Sequence, residues 1–353
     1  MKIFKKIITL VCFGFVLCSI FSCSSKNEVK NDTSVAVSNE TETTANKKTV
    51  KIVSTIFPIY DIVRNVAPND NYEMTLLLDS GIDIHNFSPT AKDMVKIAEA
   101  DLFIYVGGES DKWVDKVVAT AQNKNLKTIN LMNELGNLVK EEEVVEGMQH
   151  EHEEGEEHEH EEGEAHEEGE NHEEHENDEH IWLSLKNAKA MISVIVKKLI
   201  EIDSENQTEI QKKANAFTEK LDALDKKYIE AAQNKKYDTV VFGDRFPFRY
   251  LVDDYGLKYF AAFSGCSAEA EASFETVVFL AKKLDELGLK HICALKGAEP
   301  KVAKTVINAS NDKDRDIVLF NSMEGITNVN DAENTNYLKI MEENLEAFTK
   351  AIN

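Results

Sequence analysis

The chain has 353 residues, 42% of them hydrophobic, which is enough for two lobes that each bury a core; its formal net charge is −24. Glu141 to His180 holds 20 Glu and one Asp with neither Lys nor Arg, which leaves about −3 for the rest of the chain. Nucleic-acid binding needs a basic stripe, and a chain without one is excluded from that class.

The N-terminus reads as an export signal over residues 1–23. Lys2, Lys5 and Lys6 precede an apolar stretch from Ile7 to Phe21. That stretch is short of the roughly 20 residues a membrane-spanning helix needs. Ile20-Phe21-Ser22-Cys23 has the form of a bacterial lipobox, in which Cys23 takes the lipid; a plain cleavable signal is the alternative. Residues 24–48 are Ser, Thr, Asn, Lys and Glu with almost nothing apolar. They read as a flexible tether with a root-mean-square reach of about 25–30 Å. Only Cys266 and Cys293 then remain in the folded part, able at most to form one disulfide.

From residue 49, short apolar runs alternate with helical spacing. Strands are predicted at 49–56, 72–78, 101–107 and 127–131, with helices from Phe57 to Val66, from after Pro89 to about Ala100, and from Asp111 to Ala121. An acidic loop over 141–179 follows, and helical spacing resumes from Leu185 to Ile202, closing a first lobe of residues 49–202. Ile210, Ala214, Phe217, Leu221, Leu224, Tyr228 and Ala231 recur every three or four residues without Pro or Gly. They predict one linking helix within 203–236, roughly 45 Å long. A second series of strands at 237–243, 258–263, 290–296 and 316–321, each followed by a helix, makes a second lobe of residues 237–353. The fold class is therefore α/β: two parallel-sheet, (βα)4-like lobes joined by one long rigid helix. Ligands in such folds bind beyond the C-terminal ends of the strands, here in the cleft between the lobes.

Within the acidic loop the pentapeptide HEEGE occurs three times, from His152, His160 and His166. With no apolar face in any period, Met148 to Glu179 is expected to be disordered. An inert acidic linker needs no imidazole, so His150, His152, His158, His160, His166, His172 and His175 read as auxiliary, low-affinity metal ligands. Two further histidines stand out. His85 follows the second strand, and His180 lies where the acidic loop meets the apolar Ile181 and Trp182. A lone loop histidine is more often a surface residue, so by themselves these two leave the question open.

The segment around His85 resembles a Gly-x-Asp-Pro-His-x-(Tyr/Phe)-x-Pro-Thr motif, matched at Gly81, Asp83, His85, Phe87, Pro89 and Thr90, with Ile84 in place of Pro. A second motif, Asp-Pro-His-x-Trp-Leu-x-Pro-x-Asn-Ala, is matched by His180, Trp182, Leu183, Asn187 and Ala188. On these residues, over about Lys51 to Asn353, the chain resembles the cluster A-I solute-binding lipoproteins of bacterial ABC importers for zinc and manganese. A His-rich acidic loop before the second histidine is typical of the zinc-binding members.

The second lobe departs from that pattern. Tyr250 and Tyr255-Gly256-Leu257 align, but Arg245 stands where most members carry a third histidine, and a guanidinium cannot ligate. It is expected to pair with Asp244 or to meet an anionic ligand. The usual Asp near the last strand is missing, with Glu324 nearby. The resemblance implies His85 and His180 as zinc ligands; by position Cys266, Asp244 or Glu324 is expected to complete the sphere, or the sphere stays open. A buried apolar cysteine is the other reading of Cys266.

The resulting expectation is an extracytoplasmic, lipid-anchored monomer that captures Zn²⁺ and delivers it to a membrane permease and its ATPase subunit. Manganese, iron or a metal chelate as cargo, and a surface adhesin, are the alternatives. No HExxH motif occurs and no general base is identifiable, so the chain does not read as an enzyme.

Overall fold

A computed structural model describes residues 49–68, 71–79, 81–148, 176–267, 271–331 and 333–353. The signal peptide, Cys23, the tether and the seven loop histidines from His150 to His175 lie outside the described residues. In the first lobe β1 (Val50–Ser54), α1 (Phe57–Val66), β2 (Tyr72–Leu76), α2 (Ala91–Glu99), β3 (Leu102–Tyr105), α3 (Val114–Ala119), β4 (Lys127–Asn130), α4 (Leu131–Leu135) and α5 (Leu185–Ile202) follow one another. The linking helix α6 is Gln207–Gln233. The second lobe consists of β5 (Thr239–Phe246), α7 (Arg249–Asp254), β6 (Lys258–Ser264), α8 (Phe274–Glu286), β7 (His291–Leu295), α9 (Lys301–Ala309), β8 (Asp316–Phe320) and α10 (Tyr337–Ala351).

Both sheets are wholly parallel and share one topology, β2-β1-β3-β4 and β6-β5-β7-β8. In each, the chain leaves the first strand to one side and returns on the other, which opens a crevice at the C-terminal strand ends. The helices begin where local chemistry stops the strand. Thr90 and Asp93 form a reciprocal capping box on α2, and Ser184 caps α5 by accepting the Asn187 N–H.

The lobes are joined by more than α6. One continuous core runs from Val50 of β1 through Trp182 to Phe248, Phe320 and Tyr337 of the second lobe. The Trp182 indole N–H donates to the Ser322 carbonyl (2.8 Å), and the Tyr337 hydroxyl donates to the Trp182 carbonyl (2.6 Å). Behind them Asp61 of α1 accepts the Tyr337 N–H (2.8 Å) and pairs with Arg64. Each large side chain in this seam would cost about 1.5–3 kcal/mol to expose. This seam ties the two lobes together beyond the single linking helix.

The structure corrects the acidic loop at its roots. Met148, Asp178 and Glu179 are buried, and Glu141 pairs with Asn177 in an antiparallel bridge. Glu142 accepts the Cys266 N–H (3.2 Å), Glu143 the Tyr259 hydroxyl (3.1 Å), and Glu146 lies 3.6 Å from Lys283. Charge count suggested a solvated stretch, but here the carboxylates find donors on the second lobe. Cys266 and Cys293 are both free thiols, so the possible disulfide is not formed.

Candidate metal centre

His85 sits in the tight turn Ile84–Asn86 that follows β2, set by Asp83, whose carboxylate accepts the His85 N–H (3.0 Å). His180 opens the turn Ile181–Leu183 just before α5 and is wholly buried. Its backbone N–H and its Nδ1 both meet Asp178 Oδ1, at 2.8 and 3.0 Å. Gly265 permits this position, because a Cβ there would lie 2.9 Å from His180 Cε1. On His85, Nδ1 meets the Ser110 hydroxyl (2.9 Å) and lies 3.5 Å from Glu179. Glu179 in turn accepts the Ser110 N–H (2.8 Å), within a loop whose Gly108, at φ +80°, leaves no room for a side chain.

With Nδ1 of each ring engaged from behind, the two Nε2 atoms face each other at 3.3 Å. Glu324 Oε1 completes a triangle, 3.4 Å from His180 Nε2 and 3.6 Å from His85 Nε2. Glu324 is aimed there by Met323, a buried residue held at φ +66° whose N–H donates to Asn321 Oδ1. Such a conformation costs a non-glycine residue about 1–3 kcal/mol and needs surrounding structure to hold it. Four ligands at zinc bond lengths of about 2.0–2.1 Å form a tetrahedron whose edges are about 3.3–3.4 Å. The triangle matches one face of that tetrahedron. Glu324 Oε1 is also buried without a hydrogen bond, and a cation would satisfy it.

The electrostatics of the cluster are set by burial and by the close approach of its groups. Burial pushes His85 down, helped by the neighbouring His180, so its ring is neutral and able to ligate. Burial also opposes charge on His180, but Asp178 and Glu324 outweigh it and raise its pKa. Burial opposes charge on Glu324 in the same way, yet His180, His85 and Arg245 hold the carboxyl below its ordinary range. The Cys266 thiol is pushed far up, first by burial and then by Glu142, Asp178 and Glu179. These surroundings hold it as a neutral thiol.

Residues 52–351 match the family model described as zinc-uptake complex component A, periplasmic. The chain belongs to that family.

Among relatives of this chain, the zinc-binding lipoprotein AdcA of Streptococcus pneumoniae is 31% identical over 298 residues, covering 84% of this chain and 55% of that protein. This chain therefore spans about half the length of that relative. The high-affinity zinc uptake system protein ZnuA of Bacillus subtilis is 28% identical over 304 residues, covering 85% of this chain and 87% of that one. The crystal structure of the Zn(II)-bound ZnuA-like domain of S. pneumoniae AdcA superposes with a TM-score of 0.64 at 27% identity, covering 86% of this chain and 98% of that one.

The second lobe sorts the remaining candidates. Cys266 follows β6, and its Sγ lies within 4.8 Å of ligand atoms of both His85 and His180. Asp244 is a correction. Its Oδ1 accepts the Arg245 N–H (2.9 Å) and its Oδ2 the Leu295 N–H (3.1 Å), so the carboxylate braces β5 against β7, beside the register shift in the pairing of β5 with β6, and does not join the cluster. Arg245 is corrected as well: its guanidinium pairs with Asp83 of the first lobe at 2.6 Å and not with Asp244. Sequence reasoning gave no role to Asp178, Glu179 or Ser110. The Asp-Glu-His run before Trp182 was visible, but it was lost among the other acidic residues.

Proposed function

We propose that the chain is an extracytoplasmic receptor that captures Zn²⁺ in the cleft and hands it to a membrane permease driven by an ATPase subunit. His85 and His180 supply Nε2, Glu324 supplies Oε1, and Cys266 supplies the fourth ligand as a thiolate. The observation that carries this reading is the triangle of two Nε2 atoms and one buried, unpaired carboxylate oxygen with edges of 3.3–3.6 Å. Two imidazoles and a sulfur favour zinc over manganese, which prefers a larger, oxygen-rich sphere.

Asp178 and Glu179 keep the rings turned so that both lone pairs point inward, an arrangement that raises ligand basicity. The lipid on Cys23 would keep the receptor, as a monomer, at the membrane surface, and the histidines between His150 and His175 would collect metal at the cleft entrance. This is capture and release, with no bond made or broken in a substrate.

The test is metal analysis and zinc titration of protein purified without added metal, both intact and with residues 149–175 replaced by a short Gly-Ser link. One tight zinc per chain should remain in the shortened protein, while weaker sites disappear. Loss of the tight site together with the loop would move the capture site out of the cleft and overturn the reading.

A further inference from the structure

Asp83 is a second carboxylate at the metal centre that is not free to act as one. Its ligand oxygen, with those of His85 and Glu324, belongs to a set whose atoms lie within 4.8 Å of one another. One of its oxygens accepts the His85 N–H at 3.0 Å, and the other is taken by the Arg245 guanidinium at 2.6 Å. Arg245 is itself held, through its Nη1 to the Ser267 carbonyl (3.4 Å) and through its N–H to Asp244, which is fixed by the Leu295 N–H. A continuous chain of contacts therefore runs from the end of β7 across the cleft to the turn that carries His85.

From this geometry we infer that Arg245 determines metal specificity by sequestering Asp83. The inference rests on the cleft being the zinc site proposed above. With Asp83 occupied, the groups facing the ion are two imidazoles, one carboxylate and one thiol, a borderline-to-soft set that satisfies a four-coordinate ion. With Asp83 released, the same cleft would offer two carboxylates. Manganese, a harder ion that takes up to six mostly oxygen ligands, gains from that added oxygen, whereas zinc already has four ligands and gains little. Removing the positive guanidinium helps any dication equally, so that contribution cancels in the ratio of the two affinities. The ratio therefore reports the freed carboxylate.

The experiment measures zinc affinity by competition with a chromophoric chelator and manganese affinity from the paramagnetic resonance signal of free Mn²⁺. Both are measured on the wild type, Arg245→Met, Arg245→Lys and the double variant Arg245→Met with Asp83→Asn. Arg245→Met should shift the ratio toward manganese by about tenfold, the scale expected when a supporting partner of a metal site is changed. Arg245→Lys, which can keep the ion pair, should retain the wild-type ratio. Adding Asp83→Asn, which preserves the acceptor for the His85 N–H, should return the ratio to wild type. An unchanged ratio in Arg245→Met, or a shift that survives Asp83→Asn, overturns the inference. Should the Met variant fail to fold, Arg245→Gln carries the same comparison. A wild type without a tight zinc site would instead sink the receptor reading, a separately readable result.

Discussion

In the first lobe each imidazole of the cleft is supported from behind: His180 by Asp178 at 3.0 Å, and His85 by the Ser110 hydroxyl at 2.9 Å with Glu179 beyond it. In the second lobe Glu324 reaches the same point with Oε1 unpaired, and Cys266 arrives as a thiol that burial and three nearby carboxylates keep protonated. The first lobe is thus a finished half-site, with ring orientation fixed in advance. On the proposed reading, the second lobe would supply the groups whose charge state answers to the ion. Two lobes of identical sheet topology have taken different parts because the difference lies in loops and in one register shift, not in the sheets.

That contrast breaks first at the finished half. His180→Ala should lower zinc affinity by more than about 100-fold, since both a ligand and the group organised by Asp178 are lost; His85→Ala should act in the same direction. Chelator competition reads both, and wild-type affinity in either variant removes that residue from the site. On the responding half, Glu324→Gln keeps size and loses charge. It should cost about 10- to 100-fold, because the neutral amide can neither balance the ion nor stay buried against two imidazoles without penalty. Equal losses from Glu324→Gln and His180→Ala would erase the proposed asymmetry.

Cys266→Ser should cost less, about tenfold, because a hydroxyl or water can fill the fourth position of a zinc tetrahedron. In cobalt-loaded protein the intense thiolate-to-metal absorption should vanish in this variant. If that absorption is absent from the wild type, Cys266 is a packing residue.

The smallest effect concerns the support beneath the first half-site. Asp111 accepts the Gly107 N–H at 3.0 Å and is pushed up to about 7, mainly by burial. The folded chain therefore keeps this proton over a range where the unfolded chain has already released it. The contribution to stability is largest near pH 4, is lost as pH rises toward 7, and is constant above that. Asp111→Asn preserves the acceptor and removes the titration. Its melting temperature should gain on the wild type by a few degrees between pH 4 and 7, then run parallel; a gain appearing only in acid would be the wrong sign.

Much of this protein was legible in one dimension. Helix α5 runs over Leu185–Ile202, where the spacing put it, and the buried face of α6 from Ile210 to Tyr228 follows the predicted apolar series. Both are repeating signals carried by contiguous residues. The two parallel sheets follow from strands that alternate with helices. The acidic loop was misread at its roots because composition counts charge and cannot see Lys283, Tyr259 or the Cys266 N–H waiting on the other lobe.

His85 and His180 were marked by the sequence itself, each in a short stretch whose neighbours follow a motif. Which second-lobe groups meet them was decided only in three dimensions. Asp244 and Arg245 are adjacent in sequence, but the irregular pairing of β5 turns one carboxylate back onto Leu295 and sends one guanidinium across the cleft to a partner 162 positions away. Glu324 is delivered by a left-handed residue at Met323 that no periodicity announces. Sequence determines what repeats or lies close along the chain. The direction of a single side chain at a strand end depends on dihedral angles and distant partners that exist only once both lobes have packed.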